Sequence, residues 1–137
     1  MASQLKLEIV TPEGVTTSEM VDYVTLPGLE GEMGVYPMHV PLMTQIVAGE
    51  IVVRKGNEEY LLAVGDGFVE ITADHVAVLT DMAIKANDID EAKAEEARRR
   101  AEARLKEKLT QEELAATQAA LARSAALLQV KKRSQRR

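Results

Sequence analysis

All eight glycines and all four prolines of this chain lie before residue 88, and the stretch from 88 to 137 contains neither. Glycine and proline are the strongest local breakers of regular structure. The chain is therefore divided between a turn-rich part and a part with nothing to interrupt a helix. Charge divides at the same place. Residues 1–87 hold 4 Lys/Arg against 13 Asp/Glu, a net of −9, whereas residues 88–137 hold 13 against 9, a net of +4. Two architectures meet near Asn87, and the expected domains are 1–87 and 88–137.

In the first part, short runs rich in Val, Ile, Leu, Thr and Tyr recur between turn signals. From Leu5 to Val10 the apolar Leu5, Leu7 and Ile9 alternate with Lys6 and Glu8, the period-2 pattern of a half-buried strand. Further strands are expected at Tyr23–Leu26, Ile51–Arg54, Glu59–Val64, Phe68–Thr72 and Val76–Asp81. Lys55-Gly56-Asn57 reads as a hairpin turn, because Gly and Asn tolerate positive φ. Val64-Gly65-Asp66-Gly67 reads as a second tight connection. Such spacing predicts an antiparallel β-sandwich or barrel, of which the sandwich is the expected form. With one Phe, three Tyr and no Trp, its core must be aliphatic.

The second part predicts an antiparallel two-helix hairpin. Asp88 with Glu91 fits an N-cap and capping box, and helix formers then run to about Lys108. Ala94, Ala97, Ala101 and Leu105 draw a narrow stripe of small residues. Thr110 and Glu113 form a second capping box, after which Leu114, Leu121 and Leu128 recur every seven residues among alanines. Alanine lets helices approach closely but buries little area, at about 25 cal/mol per Å². The hairpin is thus expected to be marginal alone and to need a surface to lie on, either as a permanently docked surface element or as one suited to exchanging one docking surface for another.

Apart from Tyr60–Val64 no apolar run exceeds four residues, against the roughly 20 that a membrane-spanning helix requires. The start, Met1-Ala2-Ser3-Gln4-Leu5-Lys6, lacks the basic-then-apolar pattern of a secretory signal, so a soluble, cytosolic protein is expected. The absence of cysteine excludes disulfides, a thiolate nucleophile and a Cys-based zinc site. His39 and His75 are the only histidines and have no metal-ligand spacing, so no metal site is expected. Gly28-Leu29-Glu30-Gly31-Glu32-Met33-Gly34 has a glycine rhythm. It lacks the lysine of a phosphate loop, however, and carries two carboxylates that would repel phosphate. It reads as a tight surface loop presenting Glu30 and Glu32 to a basic partner. With no serine elbow or triad either, the chain is expected to have no active site of its own. The run Lys131-Lys132-Arg133-Ser134-Gln135-Arg136-Arg137 is either a solvated, frayed tail or a surface for nucleic acid, anionic lipid or an acidic protein segment. The shortage of aromatics to stack on bases counts against single-stranded nucleic acid.

Over essentially its whole length the chain resembles the ε subunits of bacterial F-type ATP synthases. The residues that carry the resemblance are Leu7-Glu8-Ile9-Val10-Thr11-Pro12-Glu13-Gly14, the block from Pro27 to Leu42 with its spaced Gly, Pro and His, Ala63-Val64-Gly65-Asp66-Gly67-Phe68-Val69-Glu70, and Asp88-Ile89-Asp90-Glu91-Ala92. The resemblance implies a non-catalytic rotor subunit at the cytoplasmic face of the bacterial inner membrane, peripheral and associated with lipid only indirectly. Its implied partners are the γ subunit, the c-ring and the catalytic β subunits with α, and nucleic acid is not among them. Glu30 and Glu32 would face the c-ring and His39 would lie near γ. The hairpin would inhibit ATP hydrolysis, with Arg123, Lys131, Lys132 and Arg133 facing acidic segments of β.

Some members of that family bind ATP between the folded helices through Ile/Leu-Asp-x-x-Arg-Ala. Here the motif reads Ile89, Asp90, Lys93 and Ala94 at the defined positions, with Arg100 and Arg123 matching two further arginines. Lys93 keeps the charge but loses the bidentate fork of arginine. Ile84 and Leu127 stand where those members have an acid and an arginine. The resemblance thus implies no resident cofactor and a weakened site for ATP as a regulatory ligand. Two other readings stay open on the residues alone: a nucleotide-sensing module, if Lys93, Arg100 and Arg123 converge, and an unrelated β-sandwich adaptor with a nucleic-acid-binding tail.

Overall fold

The computed structural model describes residues 3–136. Among them ten strands come first: β1 (Leu5–Thr11), β2 (Gly14–Val21), β3 (Tyr23–Gly28), β4 (Gly31–Val35), β5 (Leu42–Ile46), β6 (Gly49–Lys55), β7 (Glu58–Val64), β8 (Gly67–Ile71), β9 (His75–Thr80) and β10 (Ala83–Lys85). A 3-10 turn (Ala86–Asp88) leads to helices α1 (Glu91–Arg104) and α2 (Gln111–Gln135). The hydrogen-bonded order is β10-β7-β6-β3-β5-β8-β9-β1-β2, with β4 on β3. The sheet turns over at the single β3–β5 pairing, Gly28 opposite Ile46, and so forms the two layers of a sandwich. Leu5, Leu7, Ile9, Val69, Ile71, Val76 and Val78 of one layer meet Val24, Leu26, Val35, Ile51, Val53, Leu62 and Val64 of the other. The core is aliphatic, as composition demanded.

At one open side of the sandwich the Tyr60 hydroxyl, from β7, donates to Glu19 of β2, and Lys55 Nζ lies 2.9 Å from the same carboxylate. The Tyr60 bond, followed by Lys55, holds the Glu19 carboxyl below its usual range. Burial, then Glu19, pushes the Tyr60 phenol well above its own. A depressed carboxyl contributes stability above its unfolded value of 4.5, and that contribution disappears as pH falls through the lower folded value. Tyr60→Phe is therefore expected to cost about 1 kcal/mol at neutral pH. The deficit should shrink on acidification below pH 4.5. Urea unfolding of both chains at several pH values measures it, and a pH-independent difference would contradict the assignment.

Four strands escape the sequence pattern: β2, β4, β5 and β10. The stretch Gly28–Gly34, expected as a surface loop, is instead the β3–β4 hairpin: Gly28 faces Gly31 across a tight turn, and β4 continues to Val35. A side chain at Gly28 would press on the Gly31 carbonyl, and Gly31 itself has φ +132°, so glycine makes this turn possible.

In the helical part Asp88 is not the cap. It belongs to the 3-10 turn, and Asp90 caps α1 by accepting the Lys93 N–H at 3.1 Å. Ile89 explains the delay, for it is buried beneath α2 and holds the backbone extended for one more residue. Helix α1 also stops at Arg104 rather than near Lys108, because residues 105–109 are needed to reverse the chain before Thr110. The Thr110 capping box is present in full. Thr110 bonds, then Arg104 at 2.7 Å, hold the Glu113 carboxyl below its usual range. The buried residues of α1 are Ala94 and Ala101, and Thr117 and Ser124 are buried on α2. Leu114 of the expected leucine series is exposed. The hydroxyls of Thr117 and Ser124 donate back to Glu113 and Ala120 carbonyls, so both act as small residues in a close helix pair. The basic run is helical through Gln135 rather than frayed, while Arg137 lies outside the described residues. No described helix is long and apolar enough to cross a membrane.

Candidate functional site: two outer faces

A sandwich has two outer faces, and here both carry apolar side chains. On the β6–β7 layer Val52, Leu61 and Ala63 point outward and are buried because α2 lies over them. Val130 and Leu127 of α2 join Ala86, Ile89, Met82 and Ile84 there.

The opposite face has no such cover among the described residues. The register Gln45–Phe68–Leu79–Val10–Val15 runs across β5, β8, β9, β1 and β2. Within it Phe68, Leu79 and Val15 are 59%, 54% and 61% exposed. The adjoining row reads Met43–Glu70–Ala77–Glu8–Ser18. His75 Nε2 lies 2.7 Å from Glu8 in this second row. Beside the first row, Val10, Thr11, Pro12, Gly67 and Leu79 line a shallow crevice of about 430 Å³. Met43, 69% exposed in the second row, adds to this apolar surface, and Met38 and Val40 are exposed in the β4–β5 connection. Contiguous exposed apolar surface of this kind marks an interaction site. Sequence reading missed the row because its members come from β1, β2, β8 and β9, and only the register brings them into line.

The two ends of β4 separate the other candidates. Glu30 at the hairpin tip and Glu32 opposite Pro27 are both exposed at its start. His39 lies beyond its other end, half-buried between Pro37 and Pro41, with Nδ1 donating to the Val40 carbonyl at 2.6 Å.

Ile89, Asp90, Lys93 and Ala94 sit together at the start of α1 as a buried side chain, the cap, an exposed cation and a buried alanine. Arg100 and Arg123 are given separate partners. The Arg100 side chain is 73% exposed, 3.7 Å from Glu96, while Arg123 reaches Asp81 at 3.3 Å. Among the basic residues of the last turns, Lys131 donates to the Ala86 carbonyl at 3.2 Å and Arg133 to Glu50 at 2.5 Å. Lys132 is exposed.

This arrangement agrees with comparisons to known proteins. Residues 4–86 match the family described as ATP synthase, Delta/Epsilon chain, beta-sandwich domain, and residues 87–132 match its long alpha-helix domain. The chain is 49% identical over 129 residues to an ATP synthase epsilon chain of Dehalococcoides mccartyi, covering 93% of this chain and 92% of that one. It is 45% identical over 130 residues to the epsilon chain of Syntrophobacter fumaroxidans, covering 95% and 97%. In fold it is similar to a chain in the mitochondrial ATP synthase of Euglena gracilis, with a TM-score of 0.77 at 23% identity over 93% of this chain and 81% of that one. A chain in the central stalk and c-ring of the Tetrahymena thermophila enzyme gives 0.63 at 11% identity, with 98% of each covered. With both parts of the sequence matched and close relatives aligned almost end to end, this chain belongs to the ATP synthase delta/epsilon chain family, whose epsilon members are non-catalytic subunits.

Proposed function

We propose that this chain couples proton-driven c-ring rotation to ATP synthesis through γ, as a peripheral subunit at the cytoplasmic face of the bacterial membrane, and that its hairpin restrains ATP hydrolysis. The observation that carries this reading is the contrast between the two outer faces. The β6–β7 face is covered by the chain's own α2, and the β5–β8–β9–β1–β2 face has an apolar row with nothing over it among the described residues. The bare row is the surface for γ, with His39 at its margin. Glu30 and Glu32, on a tight hairpin, pair with polar loops of the c-ring; the Euglena relative of similar fold comes from an assembly containing F1 and a c-ring. The hairpin rests on a small contact and can exchange it for acidic segments of the catalytic β subunits, using Arg123, Lys131, Lys132 and Arg133.

The test is ATP hydrolysis by a purified catalytic head containing γ, with the full chain added and with residues 1–87 alone. The sandwich core contains no hairpin residue, so the shorter chain retains it whole. Both are expected to bind, and only the full chain to suppress hydrolysis. Binding of both without inhibition would make the hairpin purely structural. Binding of neither would remove the rotor assignment.

A further inference from the structure

Of the four buried residues of α2, Val130 alone is a branched aliphatic; the others are Thr117, Ser124 and Ala126. With only Val130 and the half-buried Leu127 as large apolar side chains from α2 in this contact, polar ties supplement it, and three are present. Arg123 pairs with Asp81 in the turn after β9, Lys131 bonds the Ala86 carbonyl in the 3-10 turn, and Arg133 pairs with Glu50 of β6. They reach three separate elements of the sandwich and span ten residues of α2, about 15 Å of helix at 1.5 Å per residue. The Glu50 side chain is only 13% exposed, so the Arg133 pair works in a less screened setting than the pairs along α1. It also closes one wall of a crevice of about 300 Å³ whose opposite wall is the β3–β4 hairpin with Glu32.

We infer that Arg133–Glu50, Arg123–Asp81 and Lys131–Ala86 form an electrostatic latch that sets how often the hairpin leaves the sandwich, and that the latch occupies cations which the released hairpin would offer elsewhere. The latch stands on these contacts, and its regulatory meaning rests on the function proposed above. Because the charged ties are partly solvent-exposed, ionic strength grades the latch: the screening length falls from about 8 Å at physiological salt to about 3 Å at 1 M.

Amide hydrogen exchange along residues 121–135 of the full chain reads the opening directly. Arg133→Gln is expected to speed that exchange roughly fivefold, and Arg123→Gln with Arg133→Gln at least about tenfold. Exchange in β1 should stay unchanged, which separates opening from general destabilisation. Lys132→Gln removes a cation from the same helix terminus without removing a tie, so it controls for the helix dipole and should match the unaltered chain. Raising salt to 1 M should speed exchange in the unaltered chain and leave the double variant nearly as it was.

Equal rates for Arg133→Gln and Lys132→Gln, or indifference of the unaltered chain to salt, would overturn the latch. Glu50→Gln opens it from the sheet side with every cation intact. Faster exchange together with deeper inhibition of the γ-containing head supports both latch and regulation. Faster exchange with unaltered inhibition supports the latch and counts against the regulatory reading alone.

Discussion

Gly67→Ala is expected to lower the unfolding free energy by about 3 kcal/mol, at the upper end of what forced overpacking costs. Gly67 opens β8, opposite Ile46 on one side and Thr80 on the other. A methyl group there would overlap the Leu79 carbonyl oxygen and stand 2.8 Å from the Leu79 carbonyl carbon and 2.9 Å from Thr80 Cα. All three are backbone atoms of a paired strand, so no flexible side-chain tip can swing away. Relief requires β8 to separate from β9, and both strands supply core residues, Val69 and Ile71 from one and Val76 and Val78 from the other. For a chain of this size the loss corresponds to a fall in Tm of roughly 10–15 °C. Phe68→Ala, one residue along, removes a much larger group but an exposed one, and should stay within about 0.5 kcal/mol. Thermal unfolding of the two variants side by side makes the test, and similar midpoints would refute the close approach.

The second large effect concerns binding. Leu79→Asp is expected to weaken association with a γ-containing catalytic head at least a hundredfold, equivalent to about 2.7 kcal/mol, while the chain remains folded. Leu79 sits in the middle of the bare row, between Phe68 and Val10. At 54% exposed it can take a carboxylate in the free chain at little cost, since water still reaches it. Once an apolar partner surface covers the row, the same carboxylate is stripped of water, the kind of burial that is expensive unless the charge is paired. Asn57→Asp, in the β6–β7 turn away from the row, adds the same charge elsewhere and should leave affinity unchanged. Titration of the head with each chain decides the matter. A folded Leu79→Asp chain that binds as tightly as the unaltered one would show that the apolar row is not the docking surface.

How much could be read from the residues follows from where the information lies. β1, β6, β7 and β9 announced themselves because alternation or an apolar run is written along a single strand. The core could be foreseen as aliphatic from aromatic scarcity alone. β2 was invisible because Gly14–Val21 is mostly polar and solvent-facing, with burial only at Thr17 and Val21. β4 was hidden in a glycine-rich stretch whose strand character comes from pairing with β3 rather than from its own side chains. Asp88 and Asp90 are equivalent as caps on local grounds. The burial of Ile89 decides between them, and that burial depends on α2, some forty residues later. The acids at Glu30 and Glu32 were correctly read as exposed, since a short polar turn has nowhere else to put them. The apolar row and the three ties of α2 were unreadable, because each joins residues from distant parts of the chain.

The pairing of β1 with β9 is parallel, and this has a consequence for how the molecule is made. β1 is placed in the interior of its layer, between β2 and β9, and Lys6 meets His75 there across some seventy residues of chain. Such long-range pairing is slow to form, since the entropy of closing the loop is lost before the contacts repay it. Until His75–Thr80 has been synthesised, the β1–β2 hairpin must wait with one edge unpaired, and the sandwich closes late, as a unit. The helices follow these strands in the chain, so α2 meets a docking face whose strands have already been made.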